Sequence, residues 1–136
     1  MKKKKGYCSF VGGDMFSDGL IILTPNRRGE FYEALVRTCV KMSDKDMKDW
    51  RKNFEKNKNA NGYVAMEDDA GKWQIIVFTD RNDWQATLSH EALHAAERMC
   101  DYREIPISKD TEELRAMLVG KIIKFAPKIT PYGNKE

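Results

Sequence analysis

The sequence predicts an α+β fold: a small β-sheet with helices packed against it, in one domain spanning residues 1–136. Three observations lead there. Apolar residues recur at helical spacing in several stretches, including the last third of the chain. "GLIILTP" and "KWQIIVFTD" are instead short, β-branched and bounded by turn residues, as strands are. Finally, 136 residues with 41% hydrophobic and 33% charged content suit a soluble domain that buries a core without disulfides or repeats.

The elements follow in order. Residues 1–18 carry no clear period and are expected to be loosely ordered. Residues 19–25 read as a strand stopped by Pro25, which lacks the ladder donor. Phe31, Leu35, Val36, Cys39 and Val40 recur at helical spacing, so 29–42 predicts an amphipathic helix. Ser43 with Asp46 three residues on resembles a cap for a second helix, whose Met47, Trp50 and Phe54 form one stripe before "NKNANG" ends it. Residues 62–68 and 72–80, separated by "DAG", predict an antiparallel hairpin. Asp83 is placed to cap a helix running to about Met99, and Tyr102 to Ser108, with Pro106 inside, forms a connection. A last helix over 111–125 is expected to turn Leu114, Met117, Leu118, Ile122 and Phe125 inward. Pro127 and Pro131 end the ordered part, leaving 127–136 frayed.

Charge and cysteine content exclude several classes of function. The net charge is +3, much of it from Lys2, Lys3, Lys4 and Lys5. Lysines near phosphate release counterions, yet the later basic residues are interleaved with acids, as in "SDKDMKDWRKNFEKNK", so nucleic acid is not the expected partner. No long apolar run follows the lysines as in a signal peptide, and "GLIIL" is far too short to span a bilayer. A cytoplasmic protein without membrane association is expected. Cys8, Cys39 and Cys100 are odd in number and form no CxxC pair, so they read as reduced thiols.

The chemistry sits in "SHEALH", residues 89–94, which holds both histidines of the chain. At about 100° per residue, His94 lies about 40° around the helix from His90 and one turn along it, so the imidazoles project side by side and can hold one ion. Glu91 lies about 100° from His90, beside the pair, where its carboxylate can reach a coordinated water. Neutral imidazoles ligate Zn²⁺, the ion lowers the pKa of a bound water, and a carboxylate base takes the proton as that water attacks a carbonyl. Leu88, Ala92, Leu93, Ala95, Ala96, Met99 and Cys100 are expected to fill the opposite, packed arc. A bland reading competes: each histidine could be a surface side chain, with Glu91 paired to Arg98 or a lysine.

A catalytic zinc needs a third protein ligand. Asp101 falls on the histidine face but two turns beyond His94, out of reach. Glu112 and Glu113 open the next helix, and one of them would stand beside the imidazoles if that helix returned antiparallel, with Ala116 and Gly120 allowing close approach. Asp110 and Glu113 also match the N-cap and N3 positions of a capping box, which would explain Glu113 without any metal. Glu113 is the favoured ligand and Glu112 the reserve.

"SHEALHA", followed by "EELRAML" with Glu113 nineteen residues after His94, resembles the zincin metallopeptidases of the gluzincin type, particularly compact single-domain ones carried by phages and mobile elements. The resemblance covers about residues 72–122. It implies a minimal zincin-like fold, with an HExxH helix packed against a C-terminal helix. It further implies His90 and His94 as zinc ligands, Glu91 as general base, and Glu113, in an ExxA setting with Ala116, as third ligand. It also implies that "WQIIVF" forms a sheet edge along which an extended peptide can align. The chain departs from metzincins in lacking a third histidine, and no group is identified that orients an imidazole. Tyr102, Tyr132 and Arg103 read as loop or surface residues rather than oxyanion donors. The expected function is zinc-dependent hydrolysis of a peptide bond in a peptide or protein substrate. The alternatives are a zinc-containing protein-binding module with little turnover, and a basic nucleic-acid-associated module.

Overall fold

The computed structural model describes residues 7–11, 19–25, 27–37, 43–67 and 72–125. The element order is β1 (Tyr7–Val11), β2 (Gly19–Thr24), α1 (Gly29–Arg37), α2 (Asp44–Asn57), β3 (Gly62–Glu67), β4 (Lys72–Phe78), α3 (Trp84–Tyr102) and α4 (Glu112–Phe125), the last preceded by a 3₁₀ turn at Lys109–Thr111. The fold is α+β, as expected. Residues 2–5, 38–42 and 127–136, on which several expectations rest, lie outside the described residues.

A four-stranded mixed sheet in the order β1-β2-β4-β3 forms the middle layer. β2 and β4 run parallel, with Ile21 opposite Ile75 and Leu23 opposite Val77. β1 and β3 are antiparallel to their neighbours and form the two edges. Helices cover both faces, which explains why β2 is buried at every position and reads as an unbroken apolar run rather than an alternating one. One face carries Ile21, Leu23, Trp73, Ile75 and Val77 against α3 and α4. The other carries Leu20, Ile22, Ile76 and Phe78 against Met47, Trp50 and Phe54 of α2 and Val36 of α1.

Local chemistry fixes the elements. The Ser43 hydroxyl accepts the Asp46 N–H at 3.1 Å, capping α2 as the sequence indicates. Trp50 donates its indole N–H to the Gln74 carbonyl, satisfying a polar side chain on the α2 face of β4. Gly19 stands opposite Trp73, and a Cβ there would lie 2.0 Å from the indole, so only glycine lets this ring lie across the backbone of β2. Arg27 binds Asp80 in a two-pronged contact at 2.8 and 2.9 Å, donates to the Ala60 carbonyl at 2.8 Å and lies 4.3 Å from the Phe78 ring centroid. One guanidinium thereby joins the ends of β2 and β4 to the α2–β3 turn, immediately before α3 begins.

Two expectations need correction. Tyr7–Val11, inside the segment expected to be loose, forms strand β1. Met117, expected inward, is 54% exposed, because it lies about 60° around α4 from Leu114, on the side away from Leu118 and Ile122. Among the described residues no helix is long and apolar enough to cross a membrane.

Candidate active site

The site is carried by α3. This helix starts at Trp84 beyond Asp83, whose carbonyl accepts the N–H groups of Ala86 and Thr87. The Asp83 side chain makes no capping bond and meets Arg81 instead, at 3.2 Å, so the expected cap acts through its backbone alone. Leu88, Ala92, Ala95, Ala96, Met99 and Cys100 are buried against the sheet and α4, the three alanines allowing a close approach. Leu93 departs from the expected packed arc and is 44% exposed. It sits about 60° around the helix from His90, nearer the histidine face than the buried one.

His90 and His94 point at a common position. Their Nε2 atoms lie 3.1 Å apart, with ring centroids 4.6 Å apart and planes at 79°. Two imidazole nitrogens this close repel unless a proton lies between them or a cation is held by both. With Zn–N bonds of about 2.05 Å, a 3.1 Å separation subtends about 100° at the ion, close to the tetrahedral angle. The imidazole pair thus has the spacing of two neighbouring zinc ligands. Both rings are exposed, so solvent and ligands reach that position freely.

Glu91 lies behind the pair. Its Oε2 is 4.0 Å from His90 Nε2, and its side chain is only 11% exposed beside an imidazole that is 67% exposed. Burial pushes its pKa above the ordinary carboxylate value, while His90, His94 and Arg98 pull in the opposite direction. A carboxylate poised to take and return a proton is placed in this way, against a wall but open towards the imidazoles.

The wall is β3. A Cβ at Gly62 would lie 2.7 Å from the Ile76 carbonyl oxygen, 2.9 Å from Thr87 Cγ2 and 3.4 Å from Glu91 Cγ, so the absent side chain lets α3 approach the strand at the level of Glu91. Farther along, Arg98 donates from Nη1 to the Val64 carbonyl at 3.0 Å. Arg98 is thus committed to the strand rather than to an ion pair with Glu91. The sheet edge beside the site is β3, not the expected "WQIIVF" strand, because β4 is flanked by β2 and β3. Phe78 donates its N–H to the Asn61 carbonyl, so the antiparallel alternation turns the backbone groups of Gly62 and Val64 outward. Neither Gly62 nor Arg98 was singled out in the sequence as part of the site. The available signals were a glycine opening a strand and an arginine two turns beyond Glu91 on the same helix.

The third ligand is the part that does not assemble. Among the described residues no three His, Cys, Asp or Glu side chains are gathered so as to hold a metal ion. α4 packs on α3 and the sheet through Leu114, Leu118 and Ile122, whereas Glu112 and Glu113 are exposed in its first turn, each more than about 100° around the helix from the middle of that stripe. The expected close approach at Ala116 and Gly120 is absent too, since a Cβ at Gly120 meets nothing within 4 Å. The capping expectation is also revised. Ser108 and Thr111 form the box, Ser108 donating its N–H to Thr111 Oγ1 at 3.1 Å, so Glu113 has no capping duty. Asp101 is exposed on the last turns of α3. Comparison with protein-family models, curated proteins and solved structures finds no match to this chain.

Proposed function

We propose that this chain is a zinc-dependent metallopeptidase acting on a peptide or protein substrate. The observation that supports it most is the convergence of the His90 and His94 Nε2 atoms, 3.1 Å apart, with the largely buried Glu91 carboxylate 4.0 Å from the first. On this reading His90 and His94 hold the ion, and Glu113 is assigned as third ligand on the resemblance of "EELRAML" to the gluzincin pattern. Zinc when bound would supply Lewis acidity and lower the pKa of a coordinated water. Glu91, beside the imidazoles, would serve as the proton acceptor and donor for hydrolysis. The outward backbone groups of Gly62 and the outward N–H of Val64, whose carbonyl already accepts from Arg98, offer an extended substrate a strand to pair with, and Gly62 sets that strand against Glu91. A cytoplasmic setting suits a sequence without a long apolar run or paired cysteine pattern.

The test is Glu91→Gln. It should retain stoichiometric zinc by elemental analysis while peptide hydrolysis falls about 100-fold or more. A second reading is a zinc-containing protein-binding module with little turnover, favoured by the separation of Glu112 and Glu113 from any three-ligand group. It predicts zinc bound with no hydrolysis by the unaltered chain, and loss of fold stability on His90→Ala.

A further inference from the structure

We infer that Arg98 is a specificity-determining residue that reads an acidic side chain of the substrate, about two residues to the N-terminal side of the bond to be cut. This deepens the peptidase reading and rests on it.

Three observations carry it. Arg98 uses Nη1 on the Val64 carbonyl, which fixes the guanidinium at the outer edge of β3. A guanidinium offers five N–H donors in a rigid fork, so this one bond leaves most of them available in a geometry that matches a carboxylate. Among the described residues Arg98 forms no ion pair. Among the described residues the neighbouring acids do not occupy it. Glu91 acts on it only at longer range, Glu97 bears on Cys100 on the α4 side of the helix, and Asp101 is exposed one turn beyond.

Position along the track follows from two independent measures. His90 and His94 centre the site six residues before Arg98 on α3, about 9 Å along the axis, and the arginine side chain leans back towards the helix N-terminus. Gly62 stands at Glu91 and Val64 at Arg98, two residues apart on an edge whose outward groups they supply. An extended chain advances about 3.3 Å per residue, so both measures put the guanidinium about two residues from the reacting carbonyl. A peptide paired antiparallel to β3 runs from the Val64 end to the Gly62 end, which places Arg98 on the N-terminal side of the cut. An acidic side chain there meets the free N–H groups, and a lysine meets like charge.

The experiment uses the full chain with zinc and three fluorogenic peptides that differ only at this position, bearing glutamate, glutamine or lysine. Wild-type protein should favour glutamate over lysine about five- to tenfold in kcat/KM. Arg98→Lys should keep the order, Arg98→Met should flatten it and Arg98→Glu should invert it. A purely structural arginine would lower all three rates together without reordering them, and that result overturns the inference while leaving the peptidase reading intact. Binding is measured in parallel by fluorescence anisotropy with Glu91→Gln protein and the same peptides. If wild type hydrolyses none of them, the peptidase reading fails, and the anisotropy arm decides for Arg98: an acidic preference that inverts in the Glu91→Gln, Arg98→Glu double variant supports it, and equal binding overturns it.

Discussion

At the end of α3, Glu104 takes a φ of 59°, in the left-handed region that favours glycine. Its N–H donates to the Asp101 carbonyl at 2.9 Å, and the next N–H, of Ile105, donates to Cys100 at 2.8 Å, the paired bonds of a Schellman ending. Ile105 then packs against the core cluster that contains Cys100, so the turn is held by a hydrophobic contact that outweighs the strain at Glu104. Because Glu104 is exposed, its side chain contributes little packing. Glu104→Gly should therefore stabilise the protein by about 0.5–1 kcal/mol, seen as a higher urea midpoint at unchanged slope. An unchanged or lower midpoint would mean that the carboxylate has a stabilising partner outside the described residues. The same residue shows why the end of α3 was misjudged in the sequence. Without a glycine stop signal the helix was expected to end near Met99, and it runs to Tyr102.

Between elements, the decisive contact is that of α3 with β3, and two glycines separate its causes. At Gly62 an added Cβ would meet backbone, the Ile76 carbonyl oxygen at 2.7 Å, which cannot rotate away, whereas at Gly120 it would meet nothing within 4 Å. Gly62→Ala should thus destabilise the fold by about 1–3 kcal/mol and force β3 or α3 to shift, displacing Glu91. Gly120→Ala should stabilise α4 by roughly 0.5–1 kcal/mol through helix propensity alone. Chemical denaturation of both variants checks the contrast, and equal effects of one sign would refute it. Element existence was legible wherever a local period or cap declared it: Ser43 for α2, the β-branched and aromatic run of "KWQIIVFTD" for β4, and the buried stripe of α3. Strand order was not. An apolar run such as "WQIIVF" signals burial on both faces, which belongs to a central strand, and the resemblance to a substrate-binding edge pointed the other way. The histidine pair was legible because helical geometry alone brings i and i+4 together. Arg98 and Gly62 were not, because their roles depend on which strand lies beside the helix.

For the whole molecule, the proposed ion would tie α3 to α4. Those helices share a core through Leu88, Ala92, Ala96, Leu118 and Ile122, while the carboxylates that open α4 stand exposed. If Glu113 closes on zinc held by His90 and His94, binding couples two elements that share an apolar core, and the gain appears in global stability rather than in local order. Anything that binds the native state alone raises stability by about 2.7 kcal/mol at a free concentration one hundred times Kd. For a chain of this length that corresponds to a rise in Tm of several degrees. Zinc titration followed by thermal unfolding should show this rise in wild type, a much smaller one in Glu113→Ala, and the full rise in Glu112→Ala. Glu91→Gln should keep the full rise, since the base is not a ligand, and His94→Ala should lose it. A full rise in Glu113→Ala with loss in Glu112→Ala would transfer the ligand role to Glu112. A full rise in both would leave the ion on the histidine pair and solvent, and the ion would then not link α3 to α4.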